Sequence, residues 1–404
     1  MLFQIAWRNV LRNKKRSSII ISAIACGLWA GLVASSVSLG FSDATVESAL
    51  KTRLSDIQVH QKAFRESHAV RDTIPGAMIL IERISQLHGV RAVSGRLLAE
   101  GMASTAETSA GVLISGVDSD REKRVTTIAD RLIQGTYAVG KKRNVVIIGQ
   151  ELAVKLSARL GSKIILTSQD ARGNIVGGSF RVAGIFRTDS TPFDGSNVFV
   201  DCHELARLLS IEDRIHEIAI LLEDGRQVES CASEIRSLAP GLTTETWMDI
   251  APDLRYINEY TEVYLNIFLY VIVLALLFGI VNTMLMSVMD RVRELGVLTA
   301  IGMKGRRIFT MIMLESVILS SLGAIAGMIA GWGTVEYLKR TGINLASFGE
   351  GLRQWGYADI SYPVLSASMF EQVIVSIVAA AIIGAAYPAW KAIRLDPARA
   401  IQTY

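Results

Sequence analysis

Four long stretches of this chain carry almost no charge, and they limit what it can fold into. Ile19–Phe41 is uncharged over about 23 residues, or roughly 35 Å of helix, against a bilayer core of about 30 Å. Tyr264–Met289 is uncharged as well, Ile308–Val335 has the single acid Glu315, and Val373–Trp390 carries Pro388 near its end. Half of the 404 residues are hydrophobic, which few soluble chains of this length tolerate. The fold expected is an α-helical membrane protein with four transmembrane helices at 19–41, 264–289, 308–335 and 373–390. Between the first two lies 42–263, mixed in polarity and long enough for a core of its own. A shorter loop, 336–372, joins the last two.

The basic residues set the expected orientation. Arg8, Arg12, Lys14, Lys15 and Arg16 precede the first run, and Arg291, Arg293, Lys304, Arg306 and Arg307 lie between the second and third. Lys391, Arg394 and Arg399 follow the fourth. The positive-inside rule makes these segments (1–18, 290–307 and 391–404) cytoplasmic and puts 42–263 and 336–372 on the far side. Residues 3–16 have an amphipathic period, with Phe3, Ala6, Trp7, Val10 and Leu11 against Arg8 and Arg12, as in an interfacial helix. The apolar run after it is longer than a cleaved signal's, so cleavage before Cys26 is not expected. Cys202 and Cys231 both fall in the outer region, where they either bridge or stand as separate thiols.

The outer region alternates strand and helix signals. Strand-like runs occur at 57–60, 112–117, 144–149, 163–168, 180–186 and 218–223, and helical patterns at 149–161, 202–210 and 228–238. This predicts an α+β domain in two subdomains. TSQDARGNIVGGS at 167–179 reads as a hairpin tip, with Asn174 and Gly177–Gly178 at the turns. In the third run Gly323, Gly327 and Gly331 recur every fourth residue, the spacing of a tight helix–helix seam and also a habit of membrane helices generally. Glu315 is expected near the interface, paired to Arg306 or Arg307.

Catalytic chemistry has no support. There is no GxxxxGK[ST] phosphate loop, no HExxH, no GxSxG and no CxxC; the five histidines are scattered, and basic residues lack interleaved aromatics. No catalytic residue, metal site or cofactor is assigned to this chain, and no nucleic acid is expected.

The stretch RVRELGVLTAIGMKGRRI, 291–308, is what remains. Val292, Leu295, Leu298 and Ile301 recur every third residue, predicting a short amphipathic helix that ends near Gly302, ahead of a basic turn. Held between two spans on the cytoplasmic side, it is placed to pass motion from a soluble partner to the membrane.

Arg291-Val292-Arg293-Glu294-Leu295-Gly296, continuing to Gly302 and Ile308, resembles the coupling segment of the FtsX/MacB-like ABC transporter permeases. YPAWKAIRLDPARAI resembles that family's C-terminal pattern through Pro388, Ala389, Ala392, Pro397 and Ala400. NVVIIGQELAVKLSARLGSKIIL is similar to its MacB-type periplasmic core, and AWRNVLRNKKRSSI to its N-terminal entry. The resemblance implies a bacterial inner-membrane permease driven by a separate ABC ATPase, which would hold the ATP and Mg, and a second permease subunit, identical or not. It implies that Arg291, Arg293 and Glu294 are polar contacts with the ATPase, flanked by Leu295 and Arg306, and that Gly296 and Gly302 allow close approach. Within the family, Gly40–Phe64 with Ile57-Gln58-Val59-His60 looks like the lipoprotein-releasing LolC/LolE-type members. This implies extraction of lipoproteins from the outer leaflet; the alternatives are MacB-like efflux or FtsX-like force transmission to a periplasmic partner. Trp29, Phe268 and Phe278 are candidates for lining an apolar groove.

Overall fold

The computed structural model describes residues 2–211, 214–344, 349–354, 356–357 and 360–394. Most of the expected tail at 391–404, with Pro397, Arg399 and Ala400, lies outside the described residues, as does part of the loop at 336–372. The described chain forms two compact units.

The first unit gathers the apolar runs. Among the described residues four helices are long and apolar enough to cross a membrane. Span one lies in the helix Lys14–Ala49, span two in Pro252–Asp290, span three in Gly305–Thr341 and span four in Ala367–Ile393. Each helix outruns its apolar stretch. Span one's 36 residues would rise about 54 Å, well past a hydrocarbon core, because a helix started in lipid continues into water until a breaker stops it. An eleven-residue helix, Leu2–Arg12, precedes span one. Its Ala6 and Val10 are buried among the spans, while Phe3, Trp7 and Leu11 stay exposed as a separate stripe.

Span three packs on span one through its glycines. A Cβ at Gly327 would lie 2.7 Å from the carbonyl oxygen of Ala25, one at Gly323 2.8 Å from Ile24 Cβ, and one at Gly331 3.0 Å from Leu32. Backbone therefore sits where side chains would stand. Ser316 Oγ also donates to the Ala381 carbonyl of span four, and Trp29 Nε1 donates to Thr334 Oγ1 at 3.0 Å.

The second unit is α+β around a ten-stranded sheet. Its strands are β1 (Ile57–His60), β2 (Val90–Ser104), β3 (Ser109–Val117), β4 (Leu132–Gly135), β5 (Val145–Gly149), β6 (Lys163–Gln169), β7 (Ile175–Phe186), β8 (Asn197–Asp201), β9 (Glu217–Leu222) and β10 (Thr243–Thr246). β2 is the spine. Its first half pairs with β9, in the row β10-β1-β9-β2; its second half pairs with both β3 and β6. Because β3, β8, β5, β7 and β6 pair in turn, the second half closes into a six-stranded ring. Closure needs Gly101: a Cβ there would stand 2.2 Å from the Thr167 carbonyl oxygen across the β2–β6 join.

Two cores follow. Leu97, Ile114, Val146 and Leu166 fill the ring, while Ile57, Val59, Ile218 and Ile220 pack with the helices Ala77–Ser85 and Val228–Leu238. The hairpin at 167–179 is present, with its turn at 170–174. Asp170 accepts from the backbone N–H groups of Arg172 and Asn174 at 2.8 Å, and Gly173 takes φ +84°. Gly177 and Gly178, expected at the turn, belong to β7, where they pair with Thr167 and Leu166. No disulfide joins any of Cys26, Cys202 and Cys231.

Candidate functional site

Between spans two and three the chain makes one short helix, Val292–Ala300. Two features end it cleanly. The Met303 N–H donates to the Leu298 carbonyl and the Gly302 N–H to that of Thr299, both at 3.0 Å, with Gly302 at φ +96°. This is the paired 6→1 and 5→2 closure of a Schellman motif, which places glycine at its left-handed position. Span three then begins at Gly305, where a Cβ would meet Ile393 of span four at 2.8 Å. Lys304, Arg306 and Arg307 surround the positive end of that helix and stay exposed. Cations there oppose the helix dipole, so an anionic surface facing them relieves a standing repulsion.

The apolar face differs from the expected one. Leu295 is buried with Gly296, and Val292 and Leu298 are half-buried, but Ile301 is 79% exposed. Steps of three residues drift backward by about 60° each on a helix of 3.6 residues per turn, so after nine residues the stripe has crossed to the opposite side. The exposed face instead carries Arg293, Val297 and Ile301, four apart. Two exposed apolar side chains beside exposed charge make a surface suited to covering by a partner. The every-third pattern hid Val297; a four-residue count from Arg293 finds it.

The polar residues of the segment also divide. Arg293 points outward. Glu294 is exposed and accepts two hydrogen bonds from Arg12 Nη2, at 2.7 and 2.6 Å, which tie the segment to the helix Leu2–Arg12. Arg291, expected to meet a partner, is turned inward and 9% exposed. Its Nη1 donates to both carboxylate oxygens of Glu315 at 3.2 Å, and its Nη2 reaches the Asn9 carbonyl at 3.4 Å. Among the described side chains, Arg291 is the base that meets Glu315. Arg306 and Arg307 lie roughly 12–14 Å from it along the same helix axis, beyond a direct ion pair. Desolvation explains the pairing: in an apolar wall each charge is costly alone.

At the opposite end of the spans from this segment, a cavity of about 350 Å³ opens between spans one, two and four. Gly27 and Gly31 line it on span one, Leu269 and Met369 add apolar groups, and Asn266 and Gln372 supply uncharged polar ones. Trp29, Phe268 and Phe278 are not among its lining residues. The sequence signal for it is the stripe Gly27, Gly31, Ser35, four apart on span one.

Family models match both parts of the chain: a MacB-like periplasmic core domain over residues 17–238, more than half of the chain, and an FtsX-like permease C-terminal domain over 266–397. The chain is 21% identical over 421 residues to the lipoprotein-releasing system transmembrane protein LolC of Xylella fastidiosa, covering 97% of this chain and 96% of that one. It is also 21% identical over 421 residues to the uncharacterized ABC transporter permease YknZ of Bacillus subtilis, covering 99% and 98%. Over 124 residues it is 32% identical to the macrolide export ATP-binding/permease protein MacB of Syntrophobacter fumaroxidans, 31% of this chain and 15% of that one. The crystal structure of the periplasmic region of MacB from Actinobacillus actinomycetemcomitans aligns with a TM-score of 0.36 at 14% identity, covering 52% of this chain and 97% of that one. With four membrane helices, the α+β domain after the first of them and matching models over both parts, the chain belongs to the MacB-like, FtsX-like family of ABC transporter permeases.

Proposed function

We propose that this permease is the membrane subunit of a lipoprotein-releasing system of the bacterial inner membrane, driven by an ATPase on a separate chain. The observation that carries the coupling half is the exposed face Arg293–Val297–Ile301 on a helix held at both ends by spans. A soluble ATPase would cover that face, with Arg293 and Glu294 at its polar rim and Arg306 meeting acids beside the next turn. Gly302 sets the turn that presents it. ATP and Mg belong to the partner. Two permease subunits, alike or different, would each offer one such helix, so closure of the two ATPases would displace both segments and, through them, the spans. The basic flanks at Arg8–Lys15 and Arg291–Arg307 support cytoplasmic termini.

The cargo half is supported by relatives named for lipoprotein release that cover nearly the whole chain, and by the cavity between spans one, two and four. Apolar walls with uncharged polar groups suit an acyl chain and its ester linkages better than a charged solute. The second reading, efflux or force transmission to a periplasmic partner, is favoured by the relatives named MacB and YknZ.

The test is purification of the tagged chain from its native membrane in mild detergent, with mass spectrometry of what accompanies it. An ATPase with triacylated lipoproteins is the expected result. An ATPase with a periplasmic adaptor or hydrolase would replace the cargo reading by the second one. Absence of any ATPase from an intact complex would overturn the coupling reading.

A further inference from the structure

We infer that the buried Arg291–Glu315 pair is the joint through which the cytoplasmic segment moves span three, and that both are positioning residues for transport. The inference rests on the reading of a separate ATPase docking on the segment's outer face.

Arg291 stands where two helices meet. Its N–H donates to the Val288 carbonyl in the last turn of span two, and its carbonyl accepts from the Leu295 N–H in the first turn of Val292–Ala300. Its side chain leaves both and enters the wall of span three, where Nη1 lies 3.2 Å from each oxygen of Glu315 and Nη2 3.4 Å from the Asn9 carbonyl. Arg291 thus connects, by its backbone, span two and the cytoplasmic helix and, by its guanidinium, span three and the N-terminal helix. Asn9, Asn13, Ser17 and Ser287 ring a small void beside the pair, so the site is polar within an otherwise apolar contact.

The chemistry matters because apolar side chains can slide past one another and repack, whereas a two-oxygen ion pair in a desolvated site resists shear. Span three continues inward contact through Gly323, Gly327 and Gly331 against span one, where backbone meets side chain with no slack. Displacement of the segment would pass to Glu315, along span three and into span one. A row of contacts is not yet coupling; a two-state response lost on breaking the joint is.

The test uses the full permease–ATPase complex in lipid nanodiscs, with accessible Cys26 and Cys202 replaced by Ser and spin labels placed on Tyr270→Cys of span two and Ile329→Cys of span three, both exposed. In the parent, ATP with vanadate should change the inter-label distance. In Glu315→Gln the ATPase should remain bound and hydrolyse ATP to within about twofold of the parent, as expected when docking is untouched, while the distance stays at its nucleotide-free value. The charge-reversed double variant, Arg291→Glu with Glu315→Arg, should recover the change. A Glu315→Gln complex that shows the parent's distance change would overturn the inference. So would a folded double variant that hydrolyses ATP without it. If Glu315→Gln does not assemble, the double variant decides alone, and its failure to assemble would reduce the pair to a folding contact and equally end the inference. Failure of the parent to bind an ATPase would instead strike the docking reading.

Discussion

Both units bury an arginine, and they use it differently. In the outer unit Arg96 donates to Glu122 at 2.8 Å and to Glu217 at 2.9 Å, with Glu122 also held by Ser94 Oγ at 2.7 Å. Arg96 lies on β2 where the row of four strands hands over to the ring, opposite Glu217 on β9 and Val117 on β3. Burial alone would lower its pKa, but the two carboxylates raise it above the usual arginine range. Burial pushes the Glu217 carboxyl up, with Arg96 opposing. In the membrane unit, among the described residues, Arg291 meets one buried acid, Glu315, and its partners Glu315 and Asn9 sit on separate helices. The outer cluster locks β2 and β9, already fixed by backbone pairing, to the helix Ser119–Val125 through Glu122. The membrane pair ties span three to the junction of span two and the helix Val292–Ala300 through side chains, so it can travel as a unit when the helices move.

Removing Arg96 is the hardest blow to that comparison. Arg96→Ala should cost about 3–5 kcal/mol, as for breaking a buried ion pair and leaving charge behind. Thermal unfolding of the detergent-purified chain measures it. The triple variant Arg96→Met, Glu122→Gln, Glu217→Gln should recover most of the loss, because the charges rather than the volume set it.

A pH titration sharpens the same contrast within the outer unit. Burial raises the Asp194 carboxyl from near 3.8 to about 6, against hydrogen bonds from the Thr188 N–H and Oγ1. Between those values the folded chain binds the proton and the unfolded chain releases it. Stability should therefore fall as pH rises through that window and level off above it. About two pH units of difference is worth about 3 kcal/mol. Stability of wild type minus Asp194→Asn, followed from pH 3.5 to 7, should carry this slope; a flat difference would contradict it.

Gly327→Ala probes the membrane unit's seam. With a carbonyl 2.7 Å from the new methyl, the helices must part, at about 1–3 kcal/mol. The smallest effect belongs to Glu294→Ala. Its pair with Arg12 is more than half exposed on both sides, so thermal stability should change by less than about 1 kcal/mol.

Hydropathy made the four spans legible, since lipid tolerates little else over that length. β-branched runs revealed β5, β6 and β9. The spine β2 stayed hidden because Gly95, Arg96 and Gly101 interrupt its apolar pattern, and each is explained only by a neighbour: Ile215, the two buried glutamates, and the Thr167 carbonyl. The segment at 291–308 was recognisable by residue type. Which way Arg291 faces was not, because its acid lies 24 positions away on another helix. Periodicity counted in threes also assigned Ile301 to the wrong side.

On the proposed reading a partner ATPase grips the outward face of the helix Val292–Ala300. Single cysteines at Arg293, Val297, Ile301 and, as the inward control, Leu295, combined with a short bifunctional crosslinker on the native-membrane complex, test it directly. ATPase adducts are expected at 293, 297 and 301, weakening or shifting with ATP and vanadate, and none at 295. Adducts at 295 but not at 297 or 301, or no ATPase adduct at any of the four in a complex that hydrolyses ATP, would contradict it.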